Sequence, residues 1–187
     1  LTMGIFREDG ARALLHRPGV LTEAFGETSS LLPFAAGVRW LHVANPFAVP
    51  GLRRHAASYL REAREAGIAT SLDLGWERLA EWMTVVGPCL PYCDWLFANA
   101  AEAAQLDLSG FAGHVVVKRG AAGCTVDGAP FAAVPVDAVD TTGAGDCFCG
   151  GFLAALLRGE TFAQAAEAGN RCGAASVSRA GATDGLS

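Results

Sequence analysis

Long apolar runs are missing from the sequence, which nowhere holds the roughly 18 uninterrupted apolar residues that a membrane-spanning helix needs. Its first residues also lack a charged segment followed by a signal-type apolar run. Charged residues are scarce at 18%, the net charge is -5, and no basic run occurs. We therefore expect a cytoplasmic protein with neither a membrane nor a nucleic acid as its main partner.

Patterns typical of metal sites and disulfide frameworks are missing as well. The six cysteines show no Cys-x-x-Cys spacing, and no histidine cluster accompanies them. We expect them to be small core residues in a reducing compartment. They are Cys89, Cys93, Cys124, Cys147, Cys149 and Cys172.

Apolar residues are abundant, at 51% of a chain of 187 residues, which favours one globular domain with a sizeable core. Short apolar runs alternate with stretches of helical spacing, and this order predicts an α/β fold with a parallel sheet covered on both faces. Strands are predicted at 41–44, 68–74, 95–98 and 115–117, helices from 50 to before 67 and at 77–86, 100–105, 143–156 and 162–178, a hairpin at 124–134, and strands and turns over 1–38.

Three polar residues, Asp73, Asn99 and Lys118, lie at or directly after the carboxyl ends of predicted strands and should share the rim where parallel sheets bind ligands. Lys118 opens the loop 118–123, whose glycines and cations suit a nucleotide phosphate, although it is no Walker motif. Asn99 and Glu102 share a face at a helix start. They either cap that helix or hold a hydrated magnesium ion and a phosphate.

The stretch Asp140-Thr141-Thr142-Gly143-Ala144-Gly145-Asp146 predicts a loop that turns into a helix near Gly143. The first amides of such a helix favour an anion, so a transferring phosphoryl group would be stabilised there. A carboxylate at Asp146 suits a base that accepts a proton from an attacking hydroxyl. The alternative is an ordinary capped helix with an acidic first turn.

These seven residues resemble the C-terminal signature of the ribokinase-like sugar kinases, also called the phosphofructokinase B-type family. The resemblance covers most of residues 39–185. It is carried further by three other motifs in the family's order and approximate spacing. They are Asn99-Ala100-Ala101-Glu102, Lys118-Arg119-Gly120-Ala121-Ala122-Gly123 and Ser176-Val177-Ser178-Arg179-Ala180-Gly181-Ala182.

The resemblance implies a ribokinase-like, Rossmann-type three-layer fold and a kinase that uses ATP and Mg²⁺. In it Asp146 is the base, and the amides of Gly143, Ala144 and Gly145 form the anion hole. The implied nucleotide-binding residues are Asn99, Lys118, Gly120, Gly123 and Asn170, and Glu102 binds magnesium through water. Where the family binds a monovalent cation such as K⁺, the matching positions are Asp140, Thr142, Ser176, Arg179 and Gly181, with Gly185 in place of a frequent Ser.

The front of the chain departs from the family, whose N-terminal strands, Gly-Gly sugar motif and much of the lid have no counterpart here. We expect residues 1–38 to be a remnant of lid strands and a connection, and residues 39–187 to be the nucleotide-binding and catalytic domain. The intact protein is expected to be a homodimer that phosphorylates a sugar hydroxyl, and the isolated 187-residue segment to be inactive. The alternatives are a kinase of a nucleoside or vitamin alcohol and a truncated nucleotide-binding module without turnover.

Overall fold

The computed structural model describes residues 2–6, 12–16, 19, 30–31, 33–181 and 184–186. The strands are β1 (Thr2–Phe6), β2 (Arg12–His16), β3 (Trp40–Ala44), β4 (Ala69–Asp73), β5 (Trp95–Asn99), β6 (His114–Lys118), β7 (Cys124–Val126) and β8 (Ala129–Phe131). The α-helices are α1 (Pro50–Glu65), α2 (Trp82–Val86), α3 (Ala100–Ala103), α4 (Ala144–Leu157) and α5 (Phe162–Val177), and short 3₁₀ helices span Gly87–Tyr92, Gly120–Ala122 and Asp184–Leu186.

Six of these strands form one sheet in the order β3-β4-β5-β6-β7-β8. The pairs from β3 to β6 are parallel, while β7 and β8 return as an antiparallel edge. Strands β1 and β2 pair with each other in a separate antiparallel ribbon. The predicted α/β fold with a mostly parallel sheet is therefore confirmed.

Strand β5 shows that both faces of the sheet are covered, because its side chains alternate between two cores. Trp95 and Phe97 pack with the buried residues of α4 and α5. Leu96 and Ala98 pack on the other face with α1 and the 3₁₀ helix at Gly87–Tyr92. All four side chains are buried, so a strand with polar alternation could not take this place.

Helices α4 and α5 approach closely because glycines lie at their contacts. A Cβ on Gly151 would stand 2.6 Å from Cys172 Sγ, and one on Gly169 would stand 2.9 Å from the Phe148 ring. Real Cβ atoms do not tolerate such distances, so larger residues would force the two helices apart.

Two predicted elements were wrong in their bounds. The helix predicted at 77–86 begins only at Trp82, because the Glu77 carboxylate turns inward, accepts hydrogen bonds from Arg53 and the Leu79 amide, and holds the chain in a turn. Ala80 there has a φ of 56°. The second strand of the predicted hairpin is Ala129–Phe131, since the two-residue turn before it lets pairing resume at once.

Residues 1–38 contain the predicted strands as β1 and β2, whereas the predicted turn at Asp9-Gly10 and the residue Pro18 lie outside the described residues. Their assignment as a lid remnant stays a prediction. Among the described helices, none combines the length and the apolar character that crossing a bilayer requires.

Two glycines of the β6–β8 region allow a matched test of backbone strain. Gly123 and Gly128 have φ values of 82° and 84°, but only at Gly123 would a Cβ meet backbone, 2.0 Å from the Phe131 carbonyl oxygen. We expect Gly128→Ala to lower the free energy of unfolding by about 1 kcal/mol through left-handed strain alone. Gly123→Ala adds overpacking and should lower it by about 3 kcal/mol. Urea unfolding of both variants checks this, and equal losses would contradict it.

Candidate active site

The carboxyl ends of three neighbouring parallel strands bring the predicted polar residues to one edge of the sheet. Strand β4 ends at Asp73, β5 at Asn99 and β6 at Lys118. Asn99 and Lys118 are direct partners in the register of β5 and β6. This edge is where ligands bind in open α/β sheets.

Helix α4 begins at this site directly after Gly143, whose φ of 76° is a left-handed conformation that glycine adopts without cost. Before it, the Asp140 carboxylate accepts a hydrogen bond of 2.9 Å from the Thr142 amide and fixes the turn. The first helical amides have no acceptor within the helix, so this end carries partial positive charge. Asp146 lies in the first turn with its side chain exposed.

The Lys118 ammonium lies beneath this first turn. Its Nζ donates to both oxygens of Asp73 at 2.7 and 2.8 Å and is 3.7 Å from Cys149 Sγ. A Cβ added to Gly145 would stand 3.3 Å from the same nitrogen. Burial lowers the pKa of Lys118, but Cys149 and Asp73 raise it, and the net direction is upward. The upward direction favours the protonated amine, in agreement with the two hydrogen bonds that Nζ donates to Asp73.

His42 and Cys149 belong to this cluster and were missed in the sequence. Cys149 Sγ donates to Asp73 Oδ2 over 3.4 Å, and burial raises the pKa of its thiol well above the usual value. Burial also disfavours the charged form of His42 and so lowers the pKa of its ring, whose Nδ1 is 2.7 Å from Ser71 Oγ. One signal could have found Cys149, because it follows Asp146 by three residues and so lies on the same side of α4.

His42, Asp73 and Cys149 offer donor atoms that all lie within 4.8 Å of one another, which raises the question of a metal site. A cation is already present there, because the Lys118 ammonium occupies both oxygens of Asp73. A metal ion would have to displace that ion pair. We therefore assign no metal to these three residues.

Asn99 and Glu102 form a reciprocal capping box at the start of α3. The Asn99 side chain accepts from the Glu102 amide, and the Glu102 carboxylate accepts from the Asn99 amide, both at 2.9 Å. Glu102 is buried, and burial raises its pKa, an effect that the Asn99 hydrogen bond and the Lys118 charge oppose. The structure thus shows the capping contacts, and a role in holding magnesium stays a prediction.

A cleft of about 800 Å³ extends from Lys118 along the first turn of α4 to α5. Its walls are the loop of residues 120–123, the segment 133–138 and the small residues of α5, including Gly173 and Ala174. Buried Asn170 lies in the same wall and donates to the Ala132 carbonyl at 2.9 Å. This one cavity is therefore lined by residues of the predicted nucleotide loop, by Asn170 and by two residues of the predicted anion hole, Ala144 and Gly145, whereas Asn99 and Asp146 are not among its lining residues.

The two loops predicted to bind a monovalent cation lie together. Asp140 Oδ2 accepts from the Gly181 amide at 3.0 Å, and the Val139 amide donates to the Val177 carbonyl at 2.7 Å. A Cβ on Gly185 would stand 1.9 Å from the Ala175 carbonyl oxygen, so the Ser that is frequent there would not fit this backbone. The cation itself stays a prediction.

This geometry agrees with what comparisons with known proteins find. The profile for pfkB family carbohydrate kinases matches residues 33–187. An ATP-dependent ribose-1-phosphate kinase of Halopiger xanaduensis is 40% identical over 68% of this chain and 46% of its own length. A fructoselysine 6-kinase of Shigella flexneri is 36% identical over 68% of this chain and 52% of its own length. The chain spans about half the length of the curated relatives it matches.

Solved structures share the fold. A nucleoside kinase of Burkholderia thailandensis in complex with inosine superposes with a TM-score of 0.82 over 98% of this chain and 63% of its own, at 20% identity. An Escherichia coli structure described as a candidate ribokinase II in complex with ATP and Mg²⁺ has a TM-score of 0.68 over 80% of this chain and 55% of its own, at 25% identity. With its parallel sheet, glycine turn and sequence matches, the chain belongs to the pfkB family of carbohydrate kinases.

Proposed function

We propose that the intact protein transfers the γ-phosphoryl group of ATP to a primary hydroxyl of a sugar. The observation that carries this proposal is the first turn of α4, where Asp146 directly follows Gly145, a residue that lines the 800 Å³ cleft. Membership of a carbohydrate kinase family supports the reaction type. The named activities of the relatives support a small phosphorylated or free sugar derivative as the acceptor class.

Asp146 would accept the proton of the attacking hydroxyl. Its side chain is exposed at the cleft end of α4, so an acceptor can reach it, whereas Asp73 is buried and paired with Lys118. Removing the proton as the oxygen attacks makes that oxygen a better nucleophile. Of these two carboxylates, Asp146 is therefore better placed to act as the base.

The backbone at Gly143, Ala144 and Gly145 would stabilise the phosphoryl oxygens during transfer. These amides begin α4, where the helix dipole and the donors without a helical acceptor both favour negative charge. Gly145 has no side chain, so the approach to the turn stays open, and Lys118 lies directly behind it.

The cleft residues fit a nucleotide. The cavity is lined by Lys118, Gly120, Gly123 and Asn170, among others. Its volume and its largely apolar small residues suit an adenine base and ribose. Asn99 and Glu102 would organise a hydrated Mg²⁺, which neutralises phosphate charge when it is bound. We also infer K⁺ binding between the loops that Asp140 joins, and a homodimer for the intact protein.

Asp146→Asn tests the base. The amide keeps the shape of the side chain but cannot accept the proton, so turnover of the full-length protein should fall roughly 10²-fold or more. ATP affinity should be retained. The readout is ADP release with a panel of hexoses, pentoses and ketosugar acids, after calorimetry has confirmed nucleotide binding.

The matched control is Glu65→Gln, which removes an exposed carboxylate at the far end of α1. It should leave turnover unchanged. Near-normal turnover in Asp146→Asn would remove this residue from the mechanism, and no ADP release by the wild-type protein with any acceptor would argue against the kinase function itself.

Gly145→Val tests the anion hole. A branched side chain at Gly145 enters the space next to Lys118 Nζ, so transfer should drop on the order of 10²-fold while the melting temperature changes little. Gly150→Val is the control on the same helix, because a Cβ there meets no atom within 4 Å. It should change helix propensity to a similar extent without the loss of activity. An equal loss of activity in both variants would show that the glycine serves the helix rather than the phosphoryl group.

A further inference from the structure

The function proposed above gives the ion pair between Asp73 and Lys118 no role, since it uses Lys118 only as a residue that lines the nucleotide cleft. Asp73 is buried, with 4% of its surface exposed, and ends strand β4. Burial of an ion pair removes both groups from water, which costs several kcal/mol before their attraction compensates. A pair placed at this rim therefore calls for a functional reason.

The position of the ammonium is unfavourable for folding. Lys118 Nζ would be 3.3 Å from a Cβ on Gly145, in the first turn of α4, and the N-terminal end of a helix repels a positive charge. Asp73 neutralises one unit of charge, but the partial positive charge of that helix end remains close to the ammonium. The combination of an ammonium and a helix N-terminus is suited to an anion with more than one negative charge.

Asp73 also determines where the ammonium can be. Lysine carries its charge on a flexible four-carbon stem and would sample many rotamers on its own. Both carboxylate oxygens of Asp73 accept from Nζ, and the Cys149 thiol donates to Oδ2, so the carboxylate itself is fixed between β4 and α4. The pair therefore holds the ammonium at the beginning of α4.

The same contacts separate Lys118 from the loop that follows it. The loop 120–123 turns away through left-handed glycines with φ values of 57° and 82°, whereas the Lys118 side chain points back to Asp73 and Gly145. Gly145 is adjacent in sequence to Asp146, the base proposed above. The ammonium therefore lies at the turn that precedes the proposed base, whereas the loop leads away from it.

We propose that Asp73 is a positioning residue that holds the Lys118 ammonium at the first turn of α4, where the ammonium contacts the transferred phosphoryl group. The α- and β-phosphates of the nucleotide are then held by other groups of the cleft. This inference rests on the proposed kinase function. It adds a cation to the proposed anion hole and assigns a role to a buried carboxylate that is not among the residues lining the cleft.

The location of the ammonium is tested by binding, without turnover. Dissociation constants of ADP and of the imido analogue of ATP, each with Mg²⁺, are measured by calorimetry for the full-length protein and its Lys118→Met variant. If the ammonium faces the γ-phosphoryl group, the variant should lose about tenfold more affinity for the triphosphate analogue than for ADP. Equal losses for both nucleotides, or no loss, would overturn the inference. If Lys118→Met lowers the melting temperature strongly, Lys118→Gln replaces it.

The positioning role of Asp73 is tested by kinetics. Asp73→Asn should lower kcat by roughly 10- to 100-fold, because the ammonium is no longer fixed. It should not weaken binding of the triphosphate analogue, since a negative charge near the phosphates has been removed. In the Lys118→Met background the same substitution should lower kcat no further, because the two residues act as one unit. Multiplicative losses in the double variant, or a normal kcat in Asp73→Asn, would contradict the role.

Asp94→Asn is the matched control. Asp94 also holds a cation, Arg64, at 2.8 Å, and accepts from the Thr70 amide, but it lies before β5 at the opposite end of the strands. Asp94→Asn should lower the free energy of unfolding without lowering kcat. This result would separate the positioning effect of Asp73 from the general effect of losing a structural carboxylate. A wild-type protein that binds neither nucleotide would refute the proposed function. Nucleotide binding that is indifferent to Lys118 would refute only the present inference.

Discussion

The contact of helix α4 with strand β5 determines where the proposed base and anion hole lie. Phe152 of α4 meets Trp95 and Phe97 edge to face, with both pairs of ring centroids 5.3 Å apart, and Phe148 stacks on Phe152 at 5.9 Å. Aromatic pairs of this geometry contribute beyond the area that they bury. Because these rings fix α4 over the sheet, the amides at its beginning face the carboxyl ends of β4 and β6.

Charge at that edge is balanced rather than simply positive. The positive end of the helix stabilises the negative charge of the exposed Asp146, and the Lys118 ammonium stabilises that of the buried Asp73. Two carboxylates are thereby kept in different environments, one accessible to solvent and one shielded. Differences of this kind allow neighbouring acidic groups to perform different tasks within one site.

Much of this arrangement could be predicted from the sequence, because local patterns determined it. The glycine turn, the start of α4 and the strand ends at Asp73 and Lys118 follow from residue types and spacing, and the structure confirms these elements. The direction of the Lys118 side chain could not be predicted. It depends on a partner 45 residues away in the chain, and nothing local to Lys118 indicates that partner.

Other features were hidden for the same reason. Cys149 was expected to be a core residue, and it is buried, yet its thiol also contacts Asp73 across the sheet. Helix α2 is shorter than predicted because the Glu77 carboxylate pairs with Arg53 of helix α1. Contacts between distant segments decide such details, whereas periodicity reports only which face of an element is apolar.

The glycines between α4 and α5 have a consequence for motion. Since Gly151 and Gly169 leave no space between the helices, α4 cannot tilt or slide without carrying α5 with it. If the protein closes around a ligand, we therefore expect segments outside this helix pair to move. The amides at the start of α4 then keep their position relative to α5. A donor group that does not move when charge develops adds little reorganisation energy, so in the proposed reaction a rigid helix contact about two turns away would help to lower the barrier.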